Sequence, residues 1–192
     1  MNTDLYPSVW RTFRVLANPV RLRALQLLHR QAPLAVSVVS RKQRLSASQA
    51  TQVLRALQAR GLLRARRRGA WVLYAPDANP SIAYAPALAA AMRAALSAAG
   101  SDLRPVVADL TAFTHERRIG IVRALAGGAD TRARLRAACR ICPQALGRHL
   151  DKLFRRGVVA ADAEGRLHLP PPRTPLAAAL LTLALGDRPP TG

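Results

Sequence analysis

Leu45-Ser46-Ala47-Ser48-Gln49-Ala50-Thr51-Gln52-Val53-Leu54-Arg55-Ala56-Leu57 reads as a helix with two chemically opposite faces. Ala50, Val53, Leu54 and Leu57 fall at i, i+3, i+4 and i+7, the spacing that gathers side chains onto one buried stripe. The other side carries Ser48, Gln49, Thr51, Gln52 and Arg55, a polar face without acid. Ser46 stands where a hydroxyl caps the first turn by accepting from free backbone N–H groups. The pattern returns at a constant offset of 96 as Ile141-Cys142-Pro143-Gln144-Ala145-Leu146-Gly147-Arg148-His149-Leu150-Asp151-Lys152-Leu153. There Leu146, His149, Leu150 and Leu153 make the stripe, and Cys142-Pro143 gives a cap position followed by proline at the first turn, where its missing N–H does no harm.

The flanks repeat as well. Upstream, Asn18-Pro19 predicts a helix start and Leu22, Leu25, Leu27 and Leu28 an apolar stripe running through His29. After a break at Pro33, a short helix is expected from about Val36 to Arg44. Downstream, Gly61 suits the left-handed residue that ends a helix. Leu62 to Tyr74 then reads as two strands joined at Arg68-Gly69. Asp4-Leu5-Tyr6-Pro7 answers to Asp102-Leu103-Arg104-Pro105, Arg21-Leu22-Arg23-Ala24-Leu25 to Arg118-Ile119-Gly120-Ile121-Val122, Gly61 to Gly157, Gly69 to Gly165, and Leu88-Ala89-Ala90-Ala91 to Leu176-Ala177-Ala178-Ala179. A pattern that recurs with its order intact marks two copies of one structural unit, expected at residues 1–100 and 101–192.

Composition narrows the function. The 192 residues carry 30 Lys+Arg against 10 Asp+Glu, a formal charge of +20, which favours a polyanionic partner such as nucleic acid. A coding bias toward Arg and Ala would raise the charge of both halves alike, yet residues 1–100 hold 15 basic against 2 acidic residues (+13) and residues 101–192 hold 15 against 8 (+7). The first half is the stronger polyanion surface. Two cysteines three apart cannot build a disulfide framework, and Met1-Asn2-Thr3-Asp4 lacks the basic start of a signal peptide, so a cytoplasmic, nucleoid-associated protein is expected. No run reaches the ~18 apolar residues a membrane span needs. Acids are scattered, no glycine-rich phosphate loop occurs, and Ser, His and Asp form no triad-like group, so neither an enzyme nor a cofactor is expected.

Short amides and hydroxyls on a helix that follows a short helix and a turn suit contact with base edges in the DNA major groove. Four arginines in the hairpin, Arg64, Arg66, Arg67 and Arg68, are expected at its tip, against phosphates or the minor groove. Ser46, Ser48, Gln49, Thr51, Gln52 and Arg55 complete the candidate DNA-binding set of the first unit.

Leu16-Ala17-Asn18-Pro19-Val20-Arg21-Leu22-Arg23-Ala24-Leu25, the segment Leu45 to Leu54, and Arg60-Gly61-Leu62-Leu63 leading into the hairpin resemble the ArsR-like family of winged helix-turn-helix repressors. The resemblance covers nearly all of the first half. It implies a mainly α fold with small β wings, binding of double-stranded operators, and release by a metal or another small-molecule inducer. The metal-sensing cysteine motif of that family would fall near Ala35 to Arg44, which holds neither Cys nor His, so the inducer is not indicated. Family members are usually one-domain homodimers. A tandem chain implies an intrachain pseudo-dimer, monomeric or dimerising again, whose entry helices (Leu5 to Leu16, Leu103 to Thr114) pack with the alanine-rich helices (Pro86 to Ala99, Leu176 to Leu185) and whose reading helices lie roughly 34 Å apart.

In the second unit the outward face is expected to hold Gln144, Ala145, Gly147, Arg148 and Asp151, and the hairpin Ala161-Asp162-Ala163-Glu164-Gly165-Arg166 carries two acids. Gln144, Arg148 and Lys152 remain candidates for asymmetric DNA contact; a pure packing role is the alternative. Gly147 points to close approach by another backbone or by DNA. Cys139 and Cys142, with His149 seven residues on, are open to two readings. They are small buried residues beside a hydrogen-bonded core histidine, or a reversible disulfide or metal pair, since i, i+3 spacing brings the Cα atoms near the permitted separation but leaves a closed zinc site short of ligands. The function expected overall is a sequence-specific transcriptional regulator, more precisely a repressor; a nonspecific architectural DNA binder and a protein-interaction module are the alternatives.

Overall fold

The computed structural model describes residues 8–186; Asp4-Leu5-Tyr6-Pro7 and the start of the expected entry helix at Leu5 lie outside the described residues. It is mainly helical, with ten helices and two small antiparallel sheets among the described residues. None of these helices is long and apolar enough to cross a membrane. After α1 (Val9–Leu16), the chain forms two compact units, one of residues 15–107 and one of residues 108–186 joined by residues 9–14.

The first unit opens on α2 (Pro19–Gln31), whose start is built as its sequence demands: the Asn18 side chain accepts from Val20 N (2.9 Å) and Arg21 N (3.1 Å), and Pro19 occupies the first turn. Leu22, Ala24, Leu25 and Leu28 are buried. A two-residue strand, β1 (Leu34–Ala35), leads into α3 (Val36–Gln43), and α4 (Ala47–Gln58) follows after a tight turn. At that turn Arg44 adopts the left-handed conformation with φ 52°, which costs a residue with a Cβ about 1–2 kcal/mol. β2 (Arg64–Arg68) and β3 (Trp71–Ala75) make the hairpin, and β1 adds to β3 through Leu34↔Tyr74 and Ala35↔Leu73, so the sheet order is β1-β3-β2. α5 (Ala85–Ala98) closes the unit. Its last turn is held by Gln26 of α2, whose Nε2 donates to the carbonyls of Leu96 (2.7 Å) and Gly100 (2.6 Å). The core is the apolar stripe of α4 (Ala50, Val53, Leu54, Leu57) against α2, with Leu62, Leu63, Tyr74, Leu88, Met92 and Leu96. Complete burial of such side chains contributes roughly 1.5–3 kcal/mol each.

After α6 (Arg104–Ala112), the second unit runs α7 (Glu116–Ala126), α8 (Arg132–Cys139), α9 (Pro143–Arg155), β4 (Ala160–Ala161), β5 (Leu167–His168) and α10 (Pro175–Gly186). Its α8 and α9 begin 96 residues after α3 and α4, and its left-handed residues Arg140, Gly157 and Gly165 stand 96 after Arg44, Gly61 and Gly69. Side-chain hydrogen bonds recur too, from donors 97 residues apart. Arg21 donates to Val15 O and Arg118 to Ala112 O; Gln26 holds the end of α5, and Arg123 Nε donates to Ala184 O in α10. The hairpins differ. β4 and β5 have two residues each against five in β2 and β3, and the turn between them is stapled locally, with Arg166 N donating to Asp162 Oδ1 at 2.7 Å.

Two expectations for α9 need correcting. Ala145, assigned to the outward face, is buried with Leu146, Leu150 and Leu153. His149, assigned to the buried stripe, is only half-buried, its ring 4.6 Å from that of His115. A side chain's cover depends on what stands opposite: a methyl at Ala145 needs little, whereas the His149 ring reaches past the stripe to the polar start of α7. Gly147 makes no close approach within the chain, since a Cβ there would meet nothing within 4 Å.

Candidate nucleic-acid interface

The exposed face of α4 is held by a capping box. Ser46 Oγ accepts from Gln49 N (3.1 Å), and Gln49 Oε1 accepts from Ser46 N (2.9 Å), so two of the helix's free N–H groups are satisfied reciprocally. Gln49 therefore spends its carbonyl on the helix and keeps only its NH2 for a ligand. Thr51 is half-buried and its hydroxyl donates back to Ala47 O at 2.8 Å. Ser48, Gln52 and Arg55 are exposed. Of the polar residues expected on this face, Ser48 and Gln52 are thus the freest hydrogen-bonding groups, and Gln52, with donors and an acceptor on a long arm, is the best suited to a base edge.

The four hairpin arginines do not cluster at the tip, as the sequence suggested. Register places Arg64 opposite Ala75 at the base, Arg66 opposite Leu73, Arg67 opposite Val72 and Arg68 opposite Trp71. Asp77, just beyond β3, takes the lower two, Arg64 Nε at 3.1 Å and Arg66 Nη2 at 3.8 Å. Arg67, whose Nε donates to Gly69 O at 3.2 Å, and Arg68 form the tip. Both are exposed and have no acidic partner among the described residues. Beside them Trp71 is 62% exposed and Val72 43%, an apolar tip that binary patterning did not single out because both residues suit a strand.

In the second unit Gln144 and Arg148 are exposed and Lys152 is half-buried. Arg148, Lys152 and Arg155 line a concavity of about 460 Å³ together with Ala145, His149 and three residues at the start of α7, His115, Arg117 and Arg118. Arg118 is fixed in place by bonds to Ala112 O (2.7 Å), Thr111 O (3.1 Å) and Thr114 Oγ1 (2.7 Å). Partial burial, reinforced by His115, Arg118, Arg117 and Arg148, holds the His149 pKa down at about 4. His115 is lowered for the same reasons, burial first and then Arg118 and Arg117. Lys152 is lowered by burial and by Arg156, Arg118 and Arg155. The i, i+4, i+7 spacing of Arg148, Lys152 and Arg155 was visible in the sequence; their meeting with α7 was not.

Cys139 and Cys142 are both free thiols. Cys139 ends α8 partly buried, which pushes its pKa up. Cys142, expected to be buried, is exposed at the cap position of α9, where its side chain makes no capping bond. Among the described residues no three His, Cys, Asp or Glu side chains gather into a possible metal site. In comparisons with protein-family models, curated proteins and solved structures, the chain matches none significantly.

Proposed function

We propose that each unit is a winged helix-turn-helix and that the protein is a sequence-specific duplex-DNA-binding transcriptional regulator, a repressor as the resemblance to ArsR-like proteins implies. The observation that carries this is the exposed face of α4: an acid-free row of Ser48, Gln52 and Arg55 on a rigidly capped helix, in the same unit as a hairpin tipped by Arg67 and Arg68. In this reading α4 enters the major groove with Gln52 and Ser48 at base edges and Gln49 and Thr51 in support. Arg55 and the hairpin-tip arginines Arg67 and Arg68 hold backbone or minor groove. The chain supplies two such heads, so that it works as a pseudo-dimer or as a homodimer of pseudo-dimers, without a cofactor or a catalytic step, in the cytoplasm at the nucleoid. Gln144 and Arg148 give the second head a weaker grip.

Selection of binding sites from random duplexes, followed by footprinting, tests this. One enriched motif with a discrete footprint is expected, its length showing whether one head or two engage. Equal affinity for every duplex would instead make the protein an architectural binder. A protein-docking role draws its support from exposed Trp71 and Val72; it requires partner binding that is insensitive to salt.

A further inference from the structure

The concavity between the start of α7 and α9 does not follow from the fold itself. Five cations, Arg117, Arg118, Arg148, Lys152 and Arg155, line it with two imidazoles, and no carboxylate is among the lining residues. Gathering like charges on one partly desolvated surface is unfavourable unless something answers them, which makes such a cluster a functional-site candidate. The first unit serves as an internal control. The positions 96 residues before Arg148, His149, Lys152 and Arg155 hold Gln52, Val53, Ala56 and Ala59, so equivalent places on an equivalent helix carry no charge there. The first unit lacks the cluster at this place; its own acid-free concavity, lined by Arg23, Arg30, Lys42 and Arg44, lies elsewhere and contains no imidazole. The volume, about 460 Å³, falls in the roughly 300–1,000 Å³ range of small-molecule sites.

We propose that this concavity binds a small phosphorylated anion carrying two or more negative charges. Arg118, immobilised by its three bonds to the end of α6 and the loop after it, forms the fixed wall. Arg117 and Arg148, both exposed, close on the ligand as charge-assisted donors, and Lys152 and Arg155 neutralise its remaining charge. The two imidazoles couple binding to protons. His149 is kept neutral by burial, by Arg117 and Arg118 of α7, by Arg148 beside it on α9 and by His115; His115 also feels Arg14 of α1, while Glu116 acts in the opposite sense. An anion seated among these groups offsets the cations, so its arrival raises the proton affinity of both rings. Binding then strengthens as pH falls toward the free His149 value of about 4. This inference does not depend on the DNA reading.

The experiment uses the full chain with pyrophosphate as probe, followed by calorimetry and by NMR titration of the histidine ring carbons. Expected are saturable binding at one site, at least tenfold weaker in R117A/R148A, and a His149 midpoint that rises from about 4 by one pH unit or more on saturation. A charge-matched variant, R132A/R136A on exposed positions of α8 outside the lining, should keep at least half the affinity of the unmodified chain. Equal weakening in both variants would overturn the proposal by reducing the effect to net charge, as would a stationary His149 midpoint or no saturation. The phosphates of duplex DNA are the other source of the same chemistry. If R117A/R148A lost duplex affinity while pyrophosphate bound unchanged, the proposal would likewise be overturned in favour of backbone contact.

Discussion

Asp77 divides the hairpin arginines into two classes, and the division can be measured. Arg67 and Arg68 have no acidic partner among the described residues, whereas Arg64 sits 3.1 Å from Asp77 at the base of the hairpin. Each phosphate contact adds about 0.9 to the slope of log affinity against log salt. R67A/R68A should therefore flatten that slope by about 1.8, so that the loss of affinity between 50 and 200 mM salt shrinks by roughly 12-fold. R64A, removing a cation already committed to Asp77, should change the slope by less than about 0.5, and D77N, releasing Arg64 and Arg66, should steepen it by up to about 0.9 per freed arginine. Fluorescence anisotropy with a labelled duplex at several salt concentrations reads all three. An unchanged slope in R67A/R68A, or equal flattening by R64A and R68A, would refute the assignment of the tip to the DNA backbone.

Three stability predictions follow from the first unit. His29 is partly buried with both ring nitrogens unpartnered, and burial followed by Arg93 lowers its pKa from 6.5 to about 4. The unfolded chain is thus the better proton acceptor: stability is complete above pH ~6.5 and falls as pH drops toward 4. At about 1.4 kcal/mol per tenfold change in proton affinity, discounted for partial solvent access, the loss is about 2 kcal/mol, and H29L should abolish that part of the acid sensitivity in urea titrations at pH 7 and pH 4. Gly61 has φ +70° and a Cβ there would lie 2.6 Å from Ile82 Cδ1, so G61A should lower stability by about 2 kcal/mol, read as a shift in the denaturation midpoint. S46A removes one half of the capping box and should cost about 1 kcal/mol, with faster hydrogen exchange confined to the first turn of α4.

Local chemistry made much of this legible. Asn18-Pro19 and Ser46 announce helix starts because their capping bonds run to N–H groups two or three residues away, and Gly61 announces a stop because few other residues accept its φ. The stripe of α4 is uninterrupted, so its buried face is unambiguous. Partners separated by long stretches of chain leave no such trace. β1 has two residues and exists through pairing with β3, about forty positions away. The claim of Asp77 on Arg64 and the meeting of His115 with His149 likewise depend on the folded chain. Periodicity placed Ala145 and His149 on the wrong sides of a boundary for a related reason: a 3.6-residue period locates the centre of a face well and its edges only to within a residue.

The central claim is that α4 reads bases through Gln52, and the most direct measurement compares the affinities of the unmodified chain and of Q52A for the selected duplex and for a scrambled duplex of equal length. A lost base contact is worth about 1–3 kcal/mol of discrimination. The account predicts that Q52A weakens binding to the selected duplex by about 5- to 150-fold and leaves the scrambled duplex unaffected. Equal losses on both duplexes, or none on either, would contradict it.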